Sequence, residues 1–253
     1  MLKTRIIPAL LLRDDALVKT TRFDKPTYIG DPINTVRIFN ELEVDELVFL
    51  DISATTDGRK PNMKVLEEIA NECFMPLAYG GGLNDFQTIS DIFRIGFEKV
   101  VINSACHHNP ELIGQVARHF GNQAVMASVD VKRNFFGGYE VWTHSGKKNS
   151  KMKPVEWCCH LEKLGVGEIL LTSIDREGTW SGFDIELTKK VSDAVNIPVI
   201  AHGGAGNIEH IIQVVHEGKA SAVALGSMVV YQQKGMGVLV NFPDKSLLNK
   251  NLL

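Results

Sequence analysis

The chain repeats itself, and the repeat limits what it can fold into. Residues 75–105, MPLAYGGGLNDFQTISDIFRIGFEKVVINSA, return as residues 197–227, IPVIAHGGAGNIEHIIQVVHEGKASAVALGS. A constant offset of 122 residues pairs Pro76 with Pro198, Gly81 and Gly82 with Gly203 and Gly204, Ile89 with Ile211, and Gly96 with Gly218. The same offset aligns residues 46–53 with 168–175, and an offset of 119 aligns 5–12 with 124–131. Each copy reads as strand, glycine turn, helix and strand, so two halves of about four strand–helix units fill most of the chain. About eight such units predict an α/β fold, a closed (β/α)8 TIM barrel built from two duplicated half-barrels. A length of 253 residues suits one such barrel, which predicts a single domain over residues 1–253.

Hydrophobic runs between turn signals set the remaining elements. They predict strands at residues 5–12, 46–51, 76–79, 99–103, 123–130, 168–172, 198–202 and 221–225. Helices are predicted at 62–72, 85–95, 110–120, 154–164, 185–195 and 207–217, with a first helix opening at the N-cap and proline pair Asp31-Pro32. Residues 13–30 read as a long loop, and 132–153 as a second excursion with a small hairpin around Gly137-Gly138 and a basic tip at residues 145–149. After Met228 the pattern is too glycine-rich to assign.

A net charge of −3 gives no bulk attraction to nucleic acid or to an anionic membrane, so any anion site must be local. The apolar runs fall short of the ~18 residues needed to span a bilayer, and no cleavage signal follows the first strand, which predicts a cytoplasmic protein. Cys73, Cys106, Cys158 and Cys159 have no paired C-x-x-C spacing, and His107-His108 has no carboxylate at ligand spacing. Neither a metal nor a cofactor is expected.

In such barrels the active site lies at the C-terminal ends of the strands. Those ends collect Leu11, Asp51, Gly80, Gly81, Gly82, Asn103, Ser104, Asp130, Thr172, Ser173, Ile174, Asp175, His202, Gly203, Gly204, Gly226 and Ser227. Glycines there let a ligand approach the backbone, and a following helix directs N–H groups at it. Two such turns predict two phosphate pockets on opposite sides, one with Asn103-Ser104 and one with Gly226-Ser227. Asp130 ends an apolar run and is predicted to face the barrel mouth as a general acid or base. Its half-repeat partner is Leu11, which cannot transfer a proton. At the opposite strand ends stand Arg5, Glu46, Lys99 and Glu168. Taken alone these are read as solvated positions; pointing inward, they would form a neutral ring closing the floor.

The motifs RIIPAL at residues 5–10, DELVFLDI at 45–52, GGG at 80–82, KVVIN at 99–103, DVKR at 130–133, SGKKN at 145–149, GEILLTSIDREGT at 167–179 and HGGAG at 202–206 closely resemble the cyclase subunit family of imidazole glycerol phosphate synthase. The resemblance runs from about residue 1 to residue 230. It implies a duplicated barrel that binds a bis-phosphorylated ribulosyl substrate and reacts it with ammonia from a glutaminase subunit docked under the barrel. It also implies that Arg5, Glu46, Lys99 and Glu168 gate the ammonia, and that Lys19, Ser145 and Gly178 join the rim residues above in holding substrate.

The chain departs from that family at the mouth. Leu11 stands where the family has its first catalytic aspartate, Asp15-Ala16 where Gly-Arg precedes Lys19, and Glu177 where aspartate is common. Such sequences resemble the paralogous branch associated with surface-polysaccharide synthesis, in which the barrel and its glutaminase supply ammonia for an acetamidino group on a sugar, with a separate ATP-dependent amidotransferase. The alternatives are an authentic histidine-pathway cyclase relying on Asp130, and a noncatalytic scaffold that activates the glutaminase.

Overall fold

The computed structural model describes residues 4–252. Its barrel strands are β1 (Arg5–Arg13), β4 (Leu47–Asp51), β5 (Leu77–Gly80), β6 (Lys99–Ile102), β7 (Val125–Arg133), β10 (Glu168–Ser173), β11 (Val199–His202) and β12 (Ala222–Leu225). Neighbours in this order pair in parallel, and β12 pairs with β1 through Arg5↔Ala222 to Pro8↔Leu225, so the sheet closes. The predicted duplicated barrel is therefore the observed one.

The two-residue period of a strand sorts side chains to the two faces. Ile7, Val48, Ala78, Val101, Met126, Leu170, Ile200 and Ala222, one from each barrel strand, form an inner apolar cluster. Alternate residues such as Ile6, Leu10, Phe49 and Ile169 join the outer core beneath the helices. Those helices are α1 (Pro32–Glu41), α2 (Met63–Glu72), α3 (Phe86–Arg94), α5 (Pro110–Phe120), α6 (Pro154–Leu164), α7 (Ile185–Ser192) and α8 (Ile208–His216). Two short helices, α4 (Ser104–His108) and α9 (Ser227–Val230), follow β6 and β12. Among the described residues no helix is long and apolar enough to cross a membrane.

One expectation needs correction, and one unassigned stretch gains an element. Residues 13–30 are not a loop: they form β2 (Ala16–Thr21) and β3 (Asp24–Gly30), an antiparallel extension of β1. Both connections are two-residue turns, Asp14-Asp15 at φ 50° and 62° and Arg22-Phe23 at φ 56° and 61°, the left-handed geometry of type I′ hairpins. No glycine marks either turn. The tail, unassigned from sequence, carries α10 (Lys245–Leu252), where Leu248 is buried and His216 on α8 donates to the Asn251 carbonyl at 2.9 Å. The predicted hairpin after β7 is present as β8 (Tyr139–Thr143) and β9 (Lys148–Asn149), with Asp130 in register with Trp142.

Candidate functional site at the barrel mouth

A cavity of about 390 Å³ opens at the C-terminal ends of the strands. Asp130 lines it from β7, accepting from Asn103 Nδ2 at 3.0 Å and Ser128 Oγ at 3.2 Å. Burial, the dominant influence, raises its carboxyl to about 7, against the opposing hydrogen bonds of Ser128 and Thr172. A carboxyl so tuned can take or give a proton near neutral pH. Across the mouth, Leu11 offers the same cavity an apolar side chain.

The first-half residues converge. Gly81, Gly82, Asn103, Ser104 and Asp51 all line the cavity, joined by Ser145 from the β8–β9 tip of the second half. Asp51 is occupied locally: it pairs with Arg59 at 2.8 Å and accepts from the Ser53 and Ala54 N–H groups at 3.0 and 2.9 Å. Ser145 donates to the Ile52 carbonyl at 2.7 Å, and the His144 N–H donates to Ser104 Oγ at 3.1 Å, which ties the β8–β9 tip to the short helix α4.

The second half is covered. The Lys19 side chain lies over Gly226, where an added Cβ would meet Lys19 Cε at 2.9 Å. Lys19 is 5% exposed; its ammonium bonds Glu177 and donates to the Thr20 carbonyl at 3.0 Å. Glu177, 1% exposed, also accepts from Thr20 Oγ1 at 3.2 Å and the Phe23 N–H at 3.3 Å, while its own carbonyl accepts from the Arg22 N–H at 2.9 Å. One carboxylate thus fastens the β2–β3 hairpin over this corner. Burial lowers Lys19 to about 7, and the Glu177 contact opposes that loss of charge. Gly178 packs under the same hairpin, with a would-be Cβ 2.6 Å from the Thr20 carbonyl oxygen. Gly203, Gly204, Ser227 and Asp175 are not among the cavity-lining residues, and Asp175 instead accepts from the Arg133 N–H at 2.7 Å.

The expected source of helix N–H groups is also corrected. The long helices after the glycine turns are self-capped: Asp85 accepts from the Thr88 N–H of α3, and Asn207 from the His210 N–H of α8. The short helices α4 and α9 have no side-chain cap, and they begin at Asn103-Ser104 and Gly226-Ser227. Barrels of this class use such a short extra helix to receive phosphate. Sequence reasoning gave no role to Arg59, His108 or His144, and placed His202 among the strand ends at the mouth without a chemical part; all four line the cavity. For His202 there was a signal: it ends the apolar run of the repeated strand, immediately before the glycine turn.

At the other end of the barrel, Arg5 contacts Glu46 at 2.6 Å and Glu168 at 2.7 Å, and Lys99 contacts each glutamate at 3.0 Å. The four side chains make a closed ring of alternating charge. They share the strand parity of Ile7, Val48, Val101 and Leu170, so the period-two pattern turns them inward beneath the apolar layer. They are not simply solvated: Glu46 is 3% exposed and Lys99 16%. Among the described residues no group of three or more His, Cys, Asp or Glu side chains could hold a metal ion.

Comparison with known proteins agrees with this architecture. The family described as histidine biosynthesis protein matches residues 5–235. A Pseudomonas aeruginosa protein named "Putative imidazole glycerol phosphate synthase subunit hisF2" is 46% identical over 249 residues, covering 98% of this chain and 99% of that protein. The imidazole glycerol phosphate synthase subunit HisF of Nostoc sp. is 39% identical over 97% of this chain and 96% of its own length. The subunit of the same name from Prosthecochloris aestuarii is 45% identical over 92% of each.

Proposed function

Because the chain belongs to the histidine biosynthesis protein family, as a HisF-type cyclase subunit, we propose that it is the synthase half of a glutamine amidotransferase pair. A glutaminase docks under the ion-pair ring, ammonia enters through Arg5, Glu46, Lys99 and Glu168, and a phosphorylated sugar-type acceptor meets it at the mouth. Asp130 transfers the proton. Gly81, Gly82, Asn103 and Ser104 receive one phosphate, and Gly203, Gly204, Gly226 and Ser227 the other. Lys19, Asp51, Ser145, Thr172, Asp175 and Gly178 complete the binding region. The pathway is acetamidino-sugar synthesis for a surface polysaccharide, with an ATP-dependent amidotransferase as a further partner.

The observation that carries this reading is the contrast between the two ends: a complete ring of paired charges at the floor, and a mouth with Asp130 on one side and Leu11 on the other. A buried ion-pair ring is costly to desolvate and is often replaceable by apolar side chains without loss of stability, so its presence argues for a task such as admitting a small polar molecule. Leucine in place of one of the two carboxylates argues for a changed reaction, since a proton-transfer group at a given position contributes about 10²- to 10⁴-fold in rate.

Complementation of a histidine auxotroph lacking its cyclase tests the assignment. No growth is expected with this chain as the sole cyclase, and robust growth would overturn the surface-sugar role. Asp130 in the cavity, together with 45% identity to a HisF subunit, favours a second reading, an authentic histidine-pathway cyclase. That reading expects Leu11→Asp to raise cyclase turnover, and the first expects no gain.

A further inference from the structure

Three polar side chains stand in one row across the barrel mouth. Thr172 on β10 is in register with Asp130 on β7 and with His202 on β11. All three line the cavity, and all are buried, at 7% exposure for Asp130, 2% for Thr172 and 6% for His202. The Thr172 hydroxyl lies 3.1 Å from His202 Nδ1 and also reaches Asp130, whose carboxyl it acidifies. The row therefore starts beside Asn103 in the first-half corner and ends in the second. There His202 Nε2 lies 3.8 Å from where a Cβ on Gly226 would stand, near the Lys19 side chain.

We propose that His202 is a catalytic residue of this mouth, a second proton-transferring group that works with Asp130 through Thr172 and supplies what Leu11 cannot. The proposal rests on the reading of the mouth as the place where the acceptor reacts. The Thr172 hydroxyl has one proton for its two neighbours; the relay starts with that proton directed at Nδ1, which leaves the proton of the neutral imidazole on Nε2, facing the second-half corner. Burial first, and then the Lys19 charge, keep the ring neutral, with a pKa lowered to about 3. A neutral imidazole accepts a proton on one nitrogen while releasing one from the other.

The step balances without oxidant or reductant. Asp130 removes a proton from the acceptor, and the electron pair of the broken bond stays on the acceptor. The new Asp130 O–H passes its proton to the Thr172 oxygen as the Thr172 proton moves to His202 Nδ1. In the same movement His202 gives its Nε2 proton to the leaving oxygen in the second-half corner, which departs with the electron pair of its own bond, so the ring stays neutral throughout. One proton crosses the cavity, Asp130 returns to carboxylate, and the imidazole returns to its starting tautomer by exchange with water.

The test has two arms. In the first, the chain labelled with ¹⁵N in its imidazoles is followed by NMR in the absence of substrate. The expected result is a neutral His202 with Nε2 protonated, whose Nδ1 resonance moves in Asp130→Asn and no longer responds to that change once Thr172→Val is added; Thr172→Ser restores the response. A His202 resonance indifferent to Asp130, or one showing the opposite tautomer, overturns the relay. In the second arm the bis-phosphorylated ribulosyl compound and ammonium are mixed with excess protein in single turnover, where a reaction too slow to support growth is still followed. His202→Asn keeps an acceptor near the Nδ1 position but cannot transfer a proton, and it is expected to slow turnover by about 100-fold or more with substrate affinity retained. Unchanged turnover in His202→Asn overturns the catalytic role. Absence of turnover in the unmodified chain counts against this acceptor alone, and the NMR arm still decides the relay.

Discussion

After β5, a Cβ on Gly81 would stand 2.6 Å from Cβ of Asp51; after β11, one on Gly203 would stand 2.7 Å from the Ser173 carbonyl oxygen. Asp51 and Ser173 are themselves related by the 122-residue offset that relates the glycines. Both halves thus obey one steric rule: the glycine turn lies against the end of the preceding barrel strand, at φ 124° for Gly81 and 93° for Gly203. Above that shared floor they differ. The first-half corner opens into the cavity, while the second is roofed by Lys19 from the β2–β3 hairpin, latched to Glu177. Duplication repeats the packing of a turn, and hairpins follow both β1 and β7, but the β2–β3 hairpin alone lays a buried ion pair over its corner, which makes the two unequal.

The largest effect is expected at Asp130, which joins the halves by accepting from Asn103. Asp130→Asn should lower turnover by about 10²- to 10⁴-fold. It should also change how stability depends on pH. Burial raises the folded-state carboxyl to about 7 from an ordinary 3.8, so the folded protein holds this proton where the unfolded chain releases it. Stability contributed by the protonated carboxyl is therefore lost as pH rises from about 4 to above 7, and Asn removes that loss. Urea unfolding should find the variant gaining on the unmodified chain between about pH 4 and pH 8, by up to about 4 kcal/mol. A gain toward acid pH instead would contradict the burial.

Next come the glycines. Gly81→Ala and Gly203→Ala should each cost about 3–4 kcal/mol in unfolding experiments, because a left-handed backbone is forced on alanine and its Cβ meets the preceding strand. Equal losses would support the shared steric rule, and a tolerated change in one half would break it. Glu177→Ala should cost somewhat less, about 2–3 kcal/mol, since Lys19 loses its buried partner but can shed its proton. Hydrogen exchange at residues 16–30 should then speed up, with the first-half corner unaffected.

Most of this architecture was legible because the signals were local and periodic. Apolar runs ending in glycine fixed β5 and β11, and the Asp31-Pro32 pair marked the start of α1, whose Asn34 N–H the Asp31 carboxylate does cap. The inward ring followed the same parity as Ile7 and Val48, but parity alone does not say whether a charged residue at a strand's beginning folds inward or reaches for solvent; three-dimensional closure decides that. The β2–β3 hairpin was missed because its turns use Asp14-Asp15 and Arg22-Phe23 where glycine or asparagine would have announced them. For α10 the clue was Asp244, whose carboxylate accepts from the Ser246 N–H at 2.8 Å, an N-cap obscured by the glycines before it. The His202 contact could not be read at all: Thr172 and His202 meet only because β10 and β11 pair.

The smallest effect concerns inorganic phosphate. The uncapped helix α4 starts inside the open corner, and its counterpart α9 starts beneath Lys19. Amide resonances of Gly82 and Ser104 should therefore shift at lower phosphate than those of Gly204 and Ser227. Ser104→Ala should weaken the first site by about 1 kcal/mol, roughly fivefold, the scale of one hydrogen bond. Ser227→Ala should change little in the unmodified chain, because the second corner is roofed. In a Glu177→Ala background the hairpin no longer holds Lys19 in place, and the second set of amides should begin to respond at concentrations closer to the first. Simultaneous response of both corners in the unmodified chain would mean that Lys19 assists phosphate at Gly226 while still paired, and that the asymmetry between the halves is one of shape without consequence for binding.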